Sequence, residues 1–139
     1  MSNFRLGFYT SEDNEEFVYR ILNKAKSWSK FNPPSWDSWL KTKDDRLLIT
    51  SLESKQVVAL AHISINSQRE SWFEGLRVSP AFRGIGIAFD LFKYAVDVSS
   101  QLGAVVMRLA TKGARKAYSR IAERFGFQQI GSFFLARVS

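Results

Sequence analysis

Arg83, Gly84 and Gly86 stand where an extended run, Trp72 to Val78, gives way at once to a helical pattern of Ala88, Leu91, Phe92 and Ala95. A glycine-rich turn that opens a helix is an anion site. The first N–H groups of the helix have no carbonyl to meet, and the positive end of its dipole faces the same way. Pro80 ends the strand without needing a donor, the glycines let main chain approach a ligand closely, and Arg83 adds a cation with planar donors. A diphosphate suits such a turn; the competing reading is a tight turn that holds no phosphate. Glu74 lies in the strand that feeds the turn, two residues before Leu76, and a regular pleat would put both on one face. Glu70 is expected to be exposed.

Other chemistries are removed by what the chain lacks. With no cysteine there is no disulfide, thiolate metal site or acyl-cysteine intermediate. His62 is the single histidine, so no zinc cluster is expected, and no metal. That residue reads first as a packed or hydrogen-bonded strand residue and second as a catalytic one. A P-loop needs Gly-x-x-x-x-Gly-Lys-Ser/Thr, which does not occur. A dinucleotide fingerprint needs a small residue at position 89 and an acid about 20 residues on, but those places hold Phe89 and Leu109.

What remains resembles the cofactor-binding motif of the GNAT superfamily of acetyl-CoA dependent N-acetyltransferases, Arg/Gln-x-x-Gly-x-Gly/Ala. Arg83, Gly86 and Ala88 fill its core, and the preceding Val78-x-Pro80 and following Leu91 and Phe92 extend the likeness. The resemblance implies acetyl-CoA as cosubstrate, lodged where the fourth and fifth strands splay apart. Main chain around Leu76 and Val78 would then hold pantetheine and aim the acetyl carbonyl at a donor. Main chain from Arg83 through Gly84, Ile85, Gly86 and Ile87 to Ala88 would hold the diphosphate. Glu-Gly-Leu-x-Val, beginning at Glu74, is similar to members in which this glutamate meets the substrate amine, as a base or as an anchor; its other reading is a salt-bridged strand carboxylate. A second family motif overlies Arg115 to Phe127, and only Phe125-Gly126-Phe127 matches cleanly. Arg115 stands in the asparagine position, Tyr118 in the alanine position and Ala122 where the family often carries a tyrosine acid. Tyr118, one turn earlier on the same face, is either a substitute acid or a core tyrosine. Trp28, Phe31, Trp36 and Trp39 surround two prolines in the region that overhangs the acceptor site in this family. Trp28 and Trp36 are thus candidate walls of an amine pocket, or plugs between helices and sheet.

The elements that must position these groups follow from periodicity. Phe4 to Tyr9 reads as a strand, and Ser11 caps a helix to about Lys26 with acids in its first turn. A short helix follows over Trp36 to Lys41. Arg46 to Leu52 and Gln56 to Ile65 read as a hairpin about Glu53-Ser54-Lys55, and Ser71 to Val78 as the strand before the turn. A helix to Gln101, a strand over Ala104 to Thr111, a helix over Ala114 to Phe125 and an extended segment over Phe127 to Val138 complete the chain. This order predicts a mixed α/β, or α+β, GNAT-like domain. Its sheet is mainly antiparallel, with six or seven strands, one parallel crossover between the fourth and fifth, and four flanking helices. Because the tail is short, the last strand of the usual pair is expected to be fused with its neighbour or missing.

The chain has 139 residues, 45% hydrophobic and 24% charged, which suits one domain with a single core. No apolar run reaches the ~20 residues that span a bilayer, and Met1 to Tyr9 has no apolar signal core, so a cytoplasmic protein with no membrane partner is expected. Of the net charge of +7, the segment after residue 100 carries nearly all, through Arg108, Lys112, Arg115, Lys116, Arg120, Arg124 and Arg137 against Glu123. Nucleic acid is one partner for such a face. The phosphates of coenzyme A, meeting Lys112, Arg115 and Lys116, are another, and a solvated helix face is a third. The reading that follows is N-acetyl transfer from acetyl-CoA to an amine by a monomer or homodimer. A non-catalytic acyl-CoA module is the alternative, and a nucleic-acid binding domain ranks third.

Overall fold

A computed structural model describes residues 4–9, 45–66, 68–110, 116–130 and 133–138. Seven strands form one sheet: β1 (Phe4–Phe8), β2 (Asp45–Leu52), β3 (Val57–Ile65), β4 (Glu70–Val78), β5 (Val106–Ala110), β6 (Gln128–Ile130) and β7 (Phe133–Arg137), in the spatial order β1-β2-β3-β4-β5-β7-β6. Every pairing is antiparallel except β4 with β5. Among the described residues there are two helices, α1 (Ile87–Gln101) and α2 (Lys116–Arg124). The two other expected helices, over Ser11 to Lys26 and Trp36 to Lys41, lie outside the described residues, as do Trp28, Trp36, Lys112 and Arg115.

The expectation of a fused or missing last strand is overturned. β6 and β7 are separate antiparallel strands with Ile130 opposite Phe133. Two residues suffice to turn a hairpin, so the short tail has room for both. β7 lies between β5 and β6, and β6 is the sheet edge.

β3 is buried along most of its length because both faces are covered: Val58, Leu60 and His62 on one, Ala59, Ala61 and Ile63 on the other. Its near-continuous apolar run is the pattern expected of a central strand. The core gathers Phe73 of β4, Leu91 and Phe92 of α1, Met107 and Leu109 of β5, Ala122 of α2 and Phe134 of β7. Phe92 is its hub: its ring meets Phe73 edge-on at 4.9 Å between centroids and lies 5.3 Å from both Phe125 and Phe127. Aromatic pairs at these spacings add to their area burial, and they fix α1 against β4, where the glycine turn begins.

Candidate active site

The site grows from a break in β4. Ala59 faces Val78 and Leu60 faces Arg77, but His62 faces Glu74, so two steps along β3 answer three along β4. The extra residue is a bulge, and Gly75 supplies the left-handed backbone there with φ of 71°. Only glycine adopts that angle without steric cost.

The bulge corrects one sequence expectation. Glu74 and Leu76 do not share a face. Glu74 sits opposite His62 and Arg77 opposite Leu60, residues two apart on β3 and hence on one side, whereas Leu76 joins Phe73 in the core. Two consecutive buried residues, Leu76 and Arg77, mark the place where the alternation slips.

The bulge also ends the parallel pairing. β4 and β5 run together only from Glu70 and Val106 to Phe73 and Leu109. Beyond Phe73, no described strand pairs with the β5-side edge of β4, so its main-chain groups there lack sheet partners. A backbone edge of this kind meets water or an extended ligand.

At the far end of that edge, a 3-10 turn over Pro80–Phe82 leads through Arg83 and the glycines into α1. Gly86 is the N-cap with φ of 92°, and the first helical bond runs from the Asp90 N–H to the Gly86 carbonyl. The N–H groups ahead of Asp90 therefore have no helix carbonyl to meet. A side chain placed on Gly84 or Gly86 would meet no protein atom within 4 Å, so both glycines border open space. Arg83, Gly84, Ile85 and Gly86 are exposed, Ala88 is half-buried, and Ile87 is buried in the core and offers only main chain. Arg83 adopts a role that the motif alone does not reveal: its Nε donates to the Val78 carbonyl at 3.1 Å and ties the loop to the end of β4.

β4 links Glu74, the edge beyond Phe73 and, past its end, the glycine turn. Glu74 is about half exposed, its side chain at 53%, and its Oε1 lies 3.1 Å from Nδ1 of His62, which is buried. Counted outward from the turn that joins β3 to β4, positions 62 and 74 face each other, so the register of the two strands carries this pairing. Glu70, by contrast, is not simply exposed. Arg108 Nε donates to its Oε2 at 3.0 Å, with a second bond from Nη2, and Asn66 Nδ2 donates to Oε1 at 3.2 Å. These bonds, the Arg108 guanidinium first, hold the Glu70 carboxyl below the usual carboxylate range. Tyr118 lies on α2. Ala122 is fully buried in the core. Phe89, whose bulk excluded a dinucleotide fold, packs 5.0 Å from Phe125, with the Arg124 guanidinium 4.4 Å over its ring. These contacts dock the first turn of α1 against the end of α2 and so hold the glycine turn in place.

The donor set fits an anion followed by an extended chain: a helix N-terminus bordered by open space, then a strand edge that no described strand covers, leading to a carboxylate. Among the described residues no cluster of three potential metal ligands occurs.

The fold is shared with known proteins. Solved structures with the same fold include the ribosomal-protein-S18-alanine N-acetyltransferase of Escherichia coli, 12% identical, with a TM-score of 0.86 over 98% of this chain and 94% of that one. Spermidine N-acetyltransferase of Vibrio cholerae, solved with CoA and spermine, is 16% identical with a TM-score of 0.82 over 99% of this chain and 97% of that one. An acetyltransferase of Salmonella typhimurium, solved with acetyl-CoA, is 18% identical with a TM-score of 0.79 over 99% and 95%. No curated protein matches by sequence. The model of the acetyltransferase (GNAT) family matches residues 12–127, which is most of the chain and includes the bulged strand, the glycine turn and α2. The chain belongs to the GNAT family of acetyltransferases.

Proposed function

We propose that this protein transfers the acetyl group of acetyl-CoA directly to a primary amine while both are bound. The observation that carries the reading is the end of the β4–β5 pairing at Phe73, with β4 running on to the glycine turn at its far end. Acetyl-CoA has the matching sequence of parts, a diphosphate, an amide-bearing pantetheine and a thioester. The amide N–H groups ahead of Asp90 take the diphosphate, and Arg83 supplies the adjacent charge. The β5-side edge of β4 around Leu76 and Val78, which no described strand covers, pairs with pantetheine as an added strand would.

Acetyl-CoA supplies an activated acyl group. This chain's residues orient the amine and move its proton. An alkyl amine with a pKa near 10 is mostly protonated at neutral pH. Glu74 is exposed enough to meet the ammonium, anchors it by charge, and accepts its proton directly or through a water as the nitrogen attacks the carbonyl carbon. A main-chain N–H beside Leu76 meets the acyl oxygen, where negative charge develops. The carbon–sulfur bond then breaks, and the sulfur leaves as thiolate. With a thiol pKa near 8.5, that departure needs little help. This is consistent with Ala122 standing in the position of the family's tyrosine. Among the described residues no helix is long and apolar enough to cross a membrane.

Thiol release from acetyl-CoA, measured against a panel of primary amines, amino acids and peptide N-termini, tests the proposal. Amine-dependent release with formation of the N-acetyl product is expected. Tight acetyl-CoA binding with no transfer to any acceptor points to the non-catalytic acyl-CoA module instead. Salt-sensitive nucleic-acid binding unaffected by acetyl-CoA favours the third reading.

A further inference from the structure

We infer that His62 is a positioning residue for Glu74, holding one carboxylate oxygen so that the other faces the acceptor amine; the inference rests on the role proposed above for Glu74. The two residues face each other across the β3–β4 pair, immediately before the Gly75 bulge. Nδ1 of His62 lies 3.1 Å from Oε1 of Glu74. Their surroundings are unequal: the imidazole is 2% exposed and the carboxylate side chain 53%. A glutamate that open to water would otherwise sample several rotamers. A ring locked by close packing gives it a fixed donor.

An ionised carboxylate only accepts hydrogen bonds, so Nδ1 must carry the proton in this contact. Oε1 is thereby committed to His62, and Oε2 is left to meet the ammonium or the water that takes its proton. The place in the strand matters as well. The bulge ends β4's regular register next to Glu74, so cross-strand packing alone does not fix this side chain, and the bond to a buried partner supplies the missing restraint. A nucleophile or base held by a third group is a recurrent arrangement. Here that third group lies on the neighbouring strand and need not touch substrate or cofactor.

Because the chain has one histidine, its ring can be observed without assignment. Nitrogen-15 NMR of the wild-type protein is expected to show Nδ1 protonated, and Glu74→Gln to shift that resonance. A bare Nδ1 overturns the proposal. The kinetic arm uses His62→Leu, which removes the donor, and His62→Asn, whose amide nitrogen takes the place of Nδ1. His62→Leu should lower kcat/KM for the amine by about 10- to 100-fold, the scale of a misplaced catalytic group, with acetyl-CoA affinity unchanged. His62→Asn should recover most of that loss. In a Glu74→Gln background, His62→Leu should cost less than about twofold, because its effect passes through Glu74. Fully additive losses, or an equal loss of acetyl-CoA affinity, overturn the proposal. If wild type acetylates no amine while the ring still shows its Nδ1 proton responding to Glu74→Gln, the proposed reaction fails and the His62–Glu74 lock stands. If His62→Leu does not fold, the wild-type ring spectrum and His62→Asn still decide.

Discussion

The two ends of the β4–β5 pair are built in opposite ways. At one end, Glu70 to Phe73 run in register with Val106 to Leu109. Arg108 clamps Glu70, Arg69 Nε donates to the Gly103 carbonyl at 2.9 Å, and the Val105 N–H donates to the Arg69 carbonyl at 2.8 Å. Asn66 Oδ1 accepts from the N–H groups of both Gln68 and Glu70 at 3.0 Å. At the other end, Gly75 bulges, the strands part, and the glycine turn borders open space. The closed end pairs its main chain and the Glu70 carboxylate within the protein; at the open end no described strand covers the β5-side edge of β4. The last β4–β5 pair, Phe73 with Leu109, lies two residues before the Gly75 bulge, and the Arg108–Glu70 clamp lies at the other end of the same register.

The largest effect is expected from closing off the open end. Gly86→Asp puts a carboxylate where the diphosphate is proposed to bind and forces a side chain onto a backbone with φ of 92°, so acetyl-CoA binding should be lost in calorimetry. Unchanged affinity removes the diphosphate from this turn. Next comes Glu74→Gln, which keeps the shape but neither takes a proton nor attracts a cation. It should reduce kcat/KM for the amine about 10²-fold or more and leave acetyl-CoA affinity nearly intact. Equal activity across the pH range makes Glu74 a structural carboxylate. Arg83→Ala should weaken acetyl-CoA by about 1.5–3 kcal/mol, the range for charged hydrogen bonds. A loss there that neutral Arg83→Gln reproduces in full points to the charge rather than to the tie to Val78.

The closed end should answer differently. Arg108→Leu is expected to leave acetyl-CoA affinity within about threefold, since it lies away from the turn, and to lower the melting temperature slightly, as partly exposed pairs contribute little. Its signature is a pH dependence. Because Arg108 holds the Glu70 carboxyl low, the stability from this group is present above the ordinary carboxylate value and is lost as pH falls through the lower folded value. In Arg108→Leu, that part of the acid-side loss should disappear. A collapse of cofactor affinity instead would show that the two ends are not independent.

The sequence revealed the parts of the site whose chemistry is local. Arg83, Gly84 and Gly86 announce a helix N-terminus by residue type alone, and the β-rich run from Ser71 to Val78 announces a strand. The bulge was invisible for a physical reason: Gly75 has no side chain to interrupt the pattern, and a regular pleat through it is sterically acceptable. That one residue reversed the face assigned to Leu76. The division of the tail into β6 and β7 was hidden because three residues of β6, all exposed, carry no apolar period. The clamp at Glu70 was missed since its partner, Arg108, lies far along the chain and meets it only through the parallel crossover.

On the proposed function, the edge of β4 beyond Phe73 and the start of α1 bind acetyl-CoA while the closed end does not. Amide hydrogen exchange with and without acetyl-CoA reads both ends in one experiment. New protection is expected at Leu76 to Val78 and at Ile85 to Phe89, with no change at Glu70 to Phe73. Protection that leaves both open-end segments unchanged would contradict the claim.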